Sequence, residues 1–296
     1  MVRKKWRIKT PMLVPAQWQG SVEHFYHFFH GYFVPVVLWQ EKTQQRKFAV
    51  RDCGPMNPWF ELLAPDTELE FLPPGVMLQR VLTHRQEYQI LHNWDDPTRF
   101  HRRSLDRFVN AVVARVGAAS GESSSNSLPR ITVLERRPSQ AFYLESGSET
   151  HASAADWRSV PNMPAVAEAL QFLGDVTLAD TAGMPPAEQV RLFNTTDVLV
   201  AQHGAGLSNI VWLPKGSAVV EIKPPLMPTI GTIFSNLASI RGVDYAEVPQ
   251  ADEHAAIDSG AVVQQVQLLL NQSGLHVPRV TTRWPVSALR QLPRRL

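Results

Sequence analysis

Downstream of residue 130, short apolar runs alternate with stretches whose apolar positions recur every three or four residues. RITVLER (130–136), DVTLAD (175–180), DVLVA (197–201), GSAVVEI (216–222) and residues 243–248 are brief and rich in β-branched residues, the pattern of buried strands. Between them, PNMPAVAEALQFLG (161–174), MPPAEQVRLFNTTD (184–197), SNLASIRG (235–242) and GAVVQQVQLLLNQ (260–272) read as helices. Proline stands near the start of two of them and glycine at the end of two. Strands alternating with helices predict an α/β fold on a parallel sheet, with ligands at the C-terminal strand edges.

Upstream, FHRRSLDRFVNAVVARVG puts Phe100, Leu105, Phe108, Val109, Val112, Val113 and Val116 on one helical stripe. This predicts an amphipathic helix that closes an N-terminal domain against its own sheet. GAASGESSSNSLP, rich in Gly and Ser and without apolar periodicity, reads as a linker. The expected organisation is an N-terminal domain over 1–117, a linker over 118–129 and a second domain over 130–275. An extension over 276–296 follows, marked by Pro278, Pro285 and Pro293. A chain of 296 residues suits two domains.

Composition narrows the function classes. Lys and Arg number 29 against 27 acids, with basic clusters short and scattered, so no nucleic-acid partner is expected. The single cysteine, Cys53, allows no internal disulfide. No apolar run reaches the length of a membrane span, and no apolar segment follows the charged start as a signal peptide requires. The sequence as it stands predicts a soluble, cytoplasmic chain.

The chemistry concentrates in QHGAGLSNIVWLPKGSAVVEI (202–222). Strand, glycine turn, short helix and strand follow one another, so the helix N-terminus offers N–H groups to an anion at the sheet edge. HGAG resembles the oxyanion loop of lipases and esterases, but the G-x-S-x-G elbow that chemistry needs is absent from the sequence. GAGLSN half-matches the dinucleotide fingerprint G-x-G-x-x-G, with Asn209 in place of the third glycine and Glu221 positioned for a ribose hydroxyl. That leaves a nucleotide of some kind, with an NAD-binding oxidoreductase as one alternative.

Near the N-terminus, GSVEHFYHFFHGYFVPVVLW spaces His24, His27 and His30 three residues apart among phenylalanines. On a helix they share one broad face. A zinc site would favour i, i+4 spacing and a distant third ligand, which nothing specifies, so no metal is expected. The other readings are histidines bonded locally beside an aromatic core, and a helix facing a cleft and presenting a base.

AEQVRLFNTTDVLVAQHGAGLSNIVWLPKGSAVVEI resembles the C-terminal signature of glycosyltransferase family 61. Gln189, Asp197, His203, Gly204, Ala205, Gly206, Leu207, Asn209, Leu213, Pro214, Gly216 and Glu221 fall on its pattern. PRITVLERR resembles the family's upstream strand, ending in an arginine matched by Arg136, and HFYHFFHGYFVP resembles its N-terminal block, with His27 on the family histidine. The resemblance covers roughly residues 20–250.

It implies a GT-B-like fold of two Rossmann-like domains, their parallel sheets facing across a cleft and the C-terminal one holding the donor. It also implies an inverting transfer from a nucleotide-sugar, UDP-linked, to a hydroxyl of a glycan or protein. No further cofactor is implied, nor a metal held by Asp-x-Asp, a motif the chain lacks. In this frame the N–H groups of Ala205, Gly206, Leu207 and Ser208 meet the diphosphate, and Gly204 and Gly206 permit its close approach. Arg136 is the cation across the cleft, His203 donates to a phosphate or ribose oxygen, and Glu221 binds a ribose hydroxyl. His27 is the expected base, with His24, His30 and Glu23 behind it. Four residues after His27 the family carries Asp where this chain has Gly31, which keeps a non-catalytic sugar- or nucleotide-binding relative as another alternative. Family members usually carry an N-terminal anchor and stem, which would place such a protein in the ER or Golgi lumen.

Overall fold

The computed structural model describes residues 13, 21–73, 102–118, 128–145, 147–148, 154–225 and 231–272. Most of the expected linker, the extension over 276–296, and Phe100 lie outside these residues. Five parallel strands form the main sheet: β3 (Arg130–Leu134), β4 (Asp175–Ala179), β5 (Val198–Gln202), β6 (Ala218–Lys223) and β7 (Asp244–Pro249), in the order β4-β3-β5-β6-β7. They match the apolar runs of the sequence. β5, VLVAQ, is buried at every position, as a central parallel strand covered on both faces must be.

Alternate strand residues feed two cores. Leu199, Ala201 and Val219 pack with α5 (Pro186–Asn194), the 3₁₀ helix Ala205–Trp212 and α6 (Ile233–Arg241). Val198, Val200, Val220 and Ile222 face the other way, onto α4 (Met163–Leu170) and α7 (Ser259–Gln272). From β3 the chain passes through α4 to β4 at one edge, whereas β5, β6 and β7 build outward in the opposite direction. The order therefore reverses between β3 and β5, and a crevice opens beyond their C-terminal ends. Asp197 secures the start of this pair. Its carboxylate accepts from the Arg130 backbone N–H at 2.8 Å and from the guanidinium at 3.0 and 2.9 Å.

The N-terminal part contributes α1 (Phe25–Phe28), a π-helical turn Phe29–Phe33, α2 (Val34–Thr43), β1 (Lys47–Arg51), the 3₁₀ segment Gly54–Leu62 and β2 (Glu68–Leu72). β1 and β2 pair in parallel, Lys47 opposite Glu68. The molecule is thus α/β with parallel sheets, a two-stranded one and a five-stranded one among the described residues.

Helix α3 (Arg102–Arg115) corrects an expectation. Its stripe is buried as predicted at Leu105, Phe108, Val109, Val112 and Val116, but it does not serve the N-terminal part alone. Phe108 meets Phe33 at 5.8 Å on one side and Trp212 at 5.1 Å on the other. Arg102 donates to the Ile240 carbonyl at 2.8 Å, and Arg241 pairs with Asp106 at 2.6 Å. Periodicity says which face of a helix is buried, never against what. One continuous core therefore runs from Phe28 and Trp59 through Phe108 to Trp212 and Leu199. Its edge-to-face aromatic pairs, such as Phe29 on Trp212 at 5.6 Å, each add about 0.5–1.5 kcal/mol beyond area burial.

Candidate functional site

A pocket of about 1050 Å³ lies over the crevice between β3 and β5 and is bordered from above by α1 and the segment after β1. That is the upper end of the size range for small-molecule sites. Its wall includes Arg136 and Arg137 after β3, Asp180 to Pro185 after β4, and His203 to Gly206 after β5. Ile233 and Phe234 line it from α6, and His24, Phe25, Tyr26, His27 and Trp59 from the N-terminal part.

The turn after β5 is built around Gly204, whose φ of +151° and ψ of −172° fall where residues with a Cβ are strained. The Arg136 guanidinium occupies the space a side chain would take, and its Nη2 donates to the His203 carbonyl at 2.7 Å. Arg136 therefore stands beside His203 on the same sheet edge, one strand over, and not across the cleft as expected. Burial, reinforced by the Arg158 cation, lowers its pKa from 12.5 to about 10, so it stays charged at neutral pH.

The helix that follows is 3₁₀, which alters the anion site. In a 3₁₀ helix each N–H reaches back three residues, so one fewer amide stays open at the N-terminus than in an α-helix. The Leu207 N–H is already taken by the Gly204 carbonyl at 2.9 Å, and Ser208 is fully buried. Of the expected donors, Ala205 and Gly206 reach the pocket wall; Leu207 and Ser208 do not. Asn209, in the place of the fingerprint's third glycine, ties the turn by donating to the Gly206 carbonyl at 3.1 Å.

Glu221 also differs from expectation. It is fully buried and absent from the pocket wall. One carboxylate oxygen accepts from His203 Nδ1–H at 2.5 Å and the other from the Tyr245 hydroxyl. Strand parity explains this. Glu221 pairs with Ala201, and His203, two residues on, shares that face and lies diagonally from it. Glu221 stands behind His203 instead of at a ribose. With Nδ1 engaged and the ring edge-on to Phe234 at 5.1 Å, His203 keeps Nε2 for the pocket. Burial first, then the Glu221 charge, raises the Tyr245 pKa far above 10, which keeps the hydroxyl a donor. Glu221→Leu should leave the buried His203 Nδ1–H unsatisfied, at a cost of about 1–3 kcal/mol, while the Tyr245 hydroxyl keeps Glu247 at 3.0 Å; Tyr245→Phe should cost about 0.5–1.5 kcal/mol. Urea denaturation of the two variants measures the difference.

The three histidines part company. His24 and His27, with ring centroids 6.2 Å apart, line the pocket. His30 is 2% exposed, packs edge-on against Phe29, and is outside the pocket wall. Three-residue spacing drifts about 60° per step on a helix, and the π turn from Phe29 resets the phase again. Among the described residues no three His, Cys, Asp or Glu side chains gather to hold a metal ion. Glu23 is buried and joins two segments. Its carboxylate accepts from Ser148 Oγ at 3.1 Å and its carbonyl from the Tyr143 hydroxyl at 2.7 Å. Burial and the Glu23 charge push the Tyr143 pKa up to about 12. Gly31 sits within the π turn, also away from the pocket wall.

Gln189 is a wall residue whose amide holds the loop after β4, donating to the carbonyls of Thr181 at 3.2 Å and Met184 at 2.9 Å. Wall residues such as Tyr143, Trp157 and Arg158 had no signal in the sequence, because they lie in a turn-rich stretch without periodicity. Trp157 is 45% exposed and its ring lies 4.6 Å from His24. No helix among the described residues is long and apolar enough to cross a membrane.

Comparison with known proteins falls on the same residues. A family model described as Glycosyltransferase 61 matches residues 25–220. The beta-1,2-xylosyltransferase XAX1 of Oryza sativa subsp. japonica is 44% identical over 73 residues, 24% of this chain and 13% of that protein. The EGF domain-specific O-linked N-acetylglucosamine transferase of Drosophila melanogaster is 31% identical over 78 residues, 26% and 14% of the two chains. A second rice protein, the beta-1,2-xylosyltransferase XYXT1, is 26% identical over 157 residues, 49% of this chain and 30% of that one. The matches thus span less than a third of the length of these relatives.

Proposed function

Because the chain belongs to the glycosyltransferase 61 family, we propose that it transfers a sugar from a UDP-linked donor to a hydroxyl acceptor, with inversion at the anomeric carbon. The architecture is read as GT-B-like, with the donor on the five-stranded sheet and the acceptor entering from the N-terminal side. One observation carries the reading: Arg136, Gly204 and the amides of Ala205 and Gly206 converge at the strand-order reversal, inside a pocket that His27 also lines. A guanidinium and a helix N-terminus at such a point suit a diphosphate.

In the proposed reaction the acceptor hydroxyl oxygen attacks the anomeric carbon as His27 takes its proton. The bond from that carbon to the diphosphate oxygen breaks, and the leaving diphosphate keeps the electron pair. Arg136, the two amides and His203 Nε2 face the charge that develops there. This assigns countercharge to fixed side chains and amides, so the transfer needs no Asp-x-Asp-bound metal. The ribose role expected of Glu221 was common to the NAD and the sugar-nucleotide readings, and the burial of that carboxylate against His203 and Tyr245 removes it from both.

The test is donor turnover by the full chain in EDTA, with UDP-xylose and UDP-N-acetylglucosamine as first donors because the relatives' names specify those sugars. Release of UDP with a glycan or glycopeptide acceptor, and an inverted anomeric configuration by NMR, is expected. Turnover that appears only when a divalent cation is restored would overturn the metal-independent part of the proposal.

A further inference from the structure

Among the described residues three arginines line the pocket, and their surroundings differ. Arg137 is 65% exposed and lies between two acids, Glu135 at 3.5 Å and Asp180 at 3.6 Å, so its charge is already answered. Arg158 follows the 3₁₀ turn Ala154–Asp156, and its side chain is 23% exposed. The ion pair it makes, with Glu253 at 3.7 Å, is too long for a hydrogen bond, and Glu253 is itself 51% exposed. Arg158 Nε is buried and has no hydrogen-bond partner among the described residues. It shares the pocket wall with Arg136, whose pKa its charge helps to lower, so two guanidinium groups border one crevice. Like charges brought together in such a place repel, and an anion between them turns that repulsion into attraction.

We infer that Arg158 is a second diphosphate-binding cation, which with Arg136 and the Ala205 and Gly206 amides grips the two phosphates of the donor. The inference rests on the donor reading above and extends it to a residue outside the family signature found in the sequence. The charges match. A sugar-linked diphosphate carries two negative charges, the pair supplies two positive ones, and a third negative charge appears only as the sugar leaves. Arg158 is thereby placed to hold the departing group more tightly than the bound donor, as catalysis by differential binding requires.

Calorimetric titration of the full chain with UDP, UMP and uridine tests this. Arg158→Ala should weaken UDP binding on the order of 10- to 100-fold, the loss of a charge-assisted hydrogen-bonding group, with a smaller loss for UMP and none for uridine. Arg158→Lys should recover part of the loss, since it restores charge without the planar fork. Glu253→Gln should leave UDP binding unchanged or tighter; weakening to match Arg158→Ala would mean that the ion pair alone matters and would overturn the inference. Unchanged UDP affinity in Arg158→Ala, or equal losses for all three ligands, would overturn it as well. If the unaltered chain binds none of the three, the donor reading itself fails, and the inference with it.

Discussion

Gly204→Ala should lower transfer by at least about 10³-fold and cost about 1–3 kcal/mol in stability from backbone strain alone. At φ +151° the backbone is already in a region that L residues avoid. A methyl group there would stand 1.6 Å from Arg136 Nη2 and 2.8 Å from its Cζ. The guanidinium can move, since it ends a flexible side chain, but moving it breaks the bond to the His203 carbonyl and empties the phosphate side of the crevice. Loss of one well-aimed donor costs roughly 10²–10³ in rate, and displacement of the turn would misdirect the adjacent amides too. Gly206→Ala is the internal control. A Cβ there meets Leu134 Cδ1 at 3.3 Å, a tight contact that a leucine tip can relieve, and the effect should be several-fold at most. Steady-state kinetics and urea melts on the two variants separate a Gly204-specific role from general intolerance of the loop. Equal losses at both positions would contradict it.

His27→Ala should reduce kcat by about 10²–10⁴-fold, the usual contribution of a positioned general base, while leaving UDP affinity unchanged. His27 lines the pocket from α1, a different element from the turn after β5 that carries Gly204. Its removal therefore touches the acceptor proton and not the donor. His30→Ala serves as the comparison. His30 is buried against Phe29 and Tyr26, so its replacement should lower stability by packing loss and leave kcat of the folded protein nearly intact. A large fall in UDP affinity with His27→Ala would show that the residue supports the fold or the donor site. A retained kcat would move the base to His24, which also lines the wall from the N-terminal part.

Much of the C-terminal half could be read from the chain before any coordinates. The runs RITVL, VLVAQ and AVVEIK are β-branched and uninterrupted, and glycine or proline stands at most of the element ends, so strand and helix positions followed from local rules. The place of His203 and Gly204 at a strand's C-terminal edge followed with them. What local pattern does not carry is who meets whom. The stripe of α3 could not reveal that Trp212 lies under Phe108, because a helix face is equally apolar whichever element covers it. The choice of 3₁₀ over α for Ala205–Trp212 depends on tertiary packing, and it removed from the anion site the Leu207 amide that an α-helix would have left open. Glu221 was placed on a ribose because its spacing fits the dinucleotide fingerprint, yet strand register pairs it with Ala201 and puts His203 on the same face. Parity along two adjacent strands would have exposed that pair. Nothing in the sequence singles out Arg158, which sits in a loop and reaches the pocket wall beside Arg136 only through the fold.

Thermal unfolding with UDP, with NAD and with neither, each in EDTA, sets the two nucleotide chemistries directly against each other. A ligand at about 100 times its Kd adds roughly 2.7 kcal/mol, which is several degrees in Tm for a protein of this size. A rise with UDP alone, undiminished by EDTA, is the predicted result. A rise with NAD and none with UDP would contradict a diphosphate-sugar site at the β3–β5 crevice.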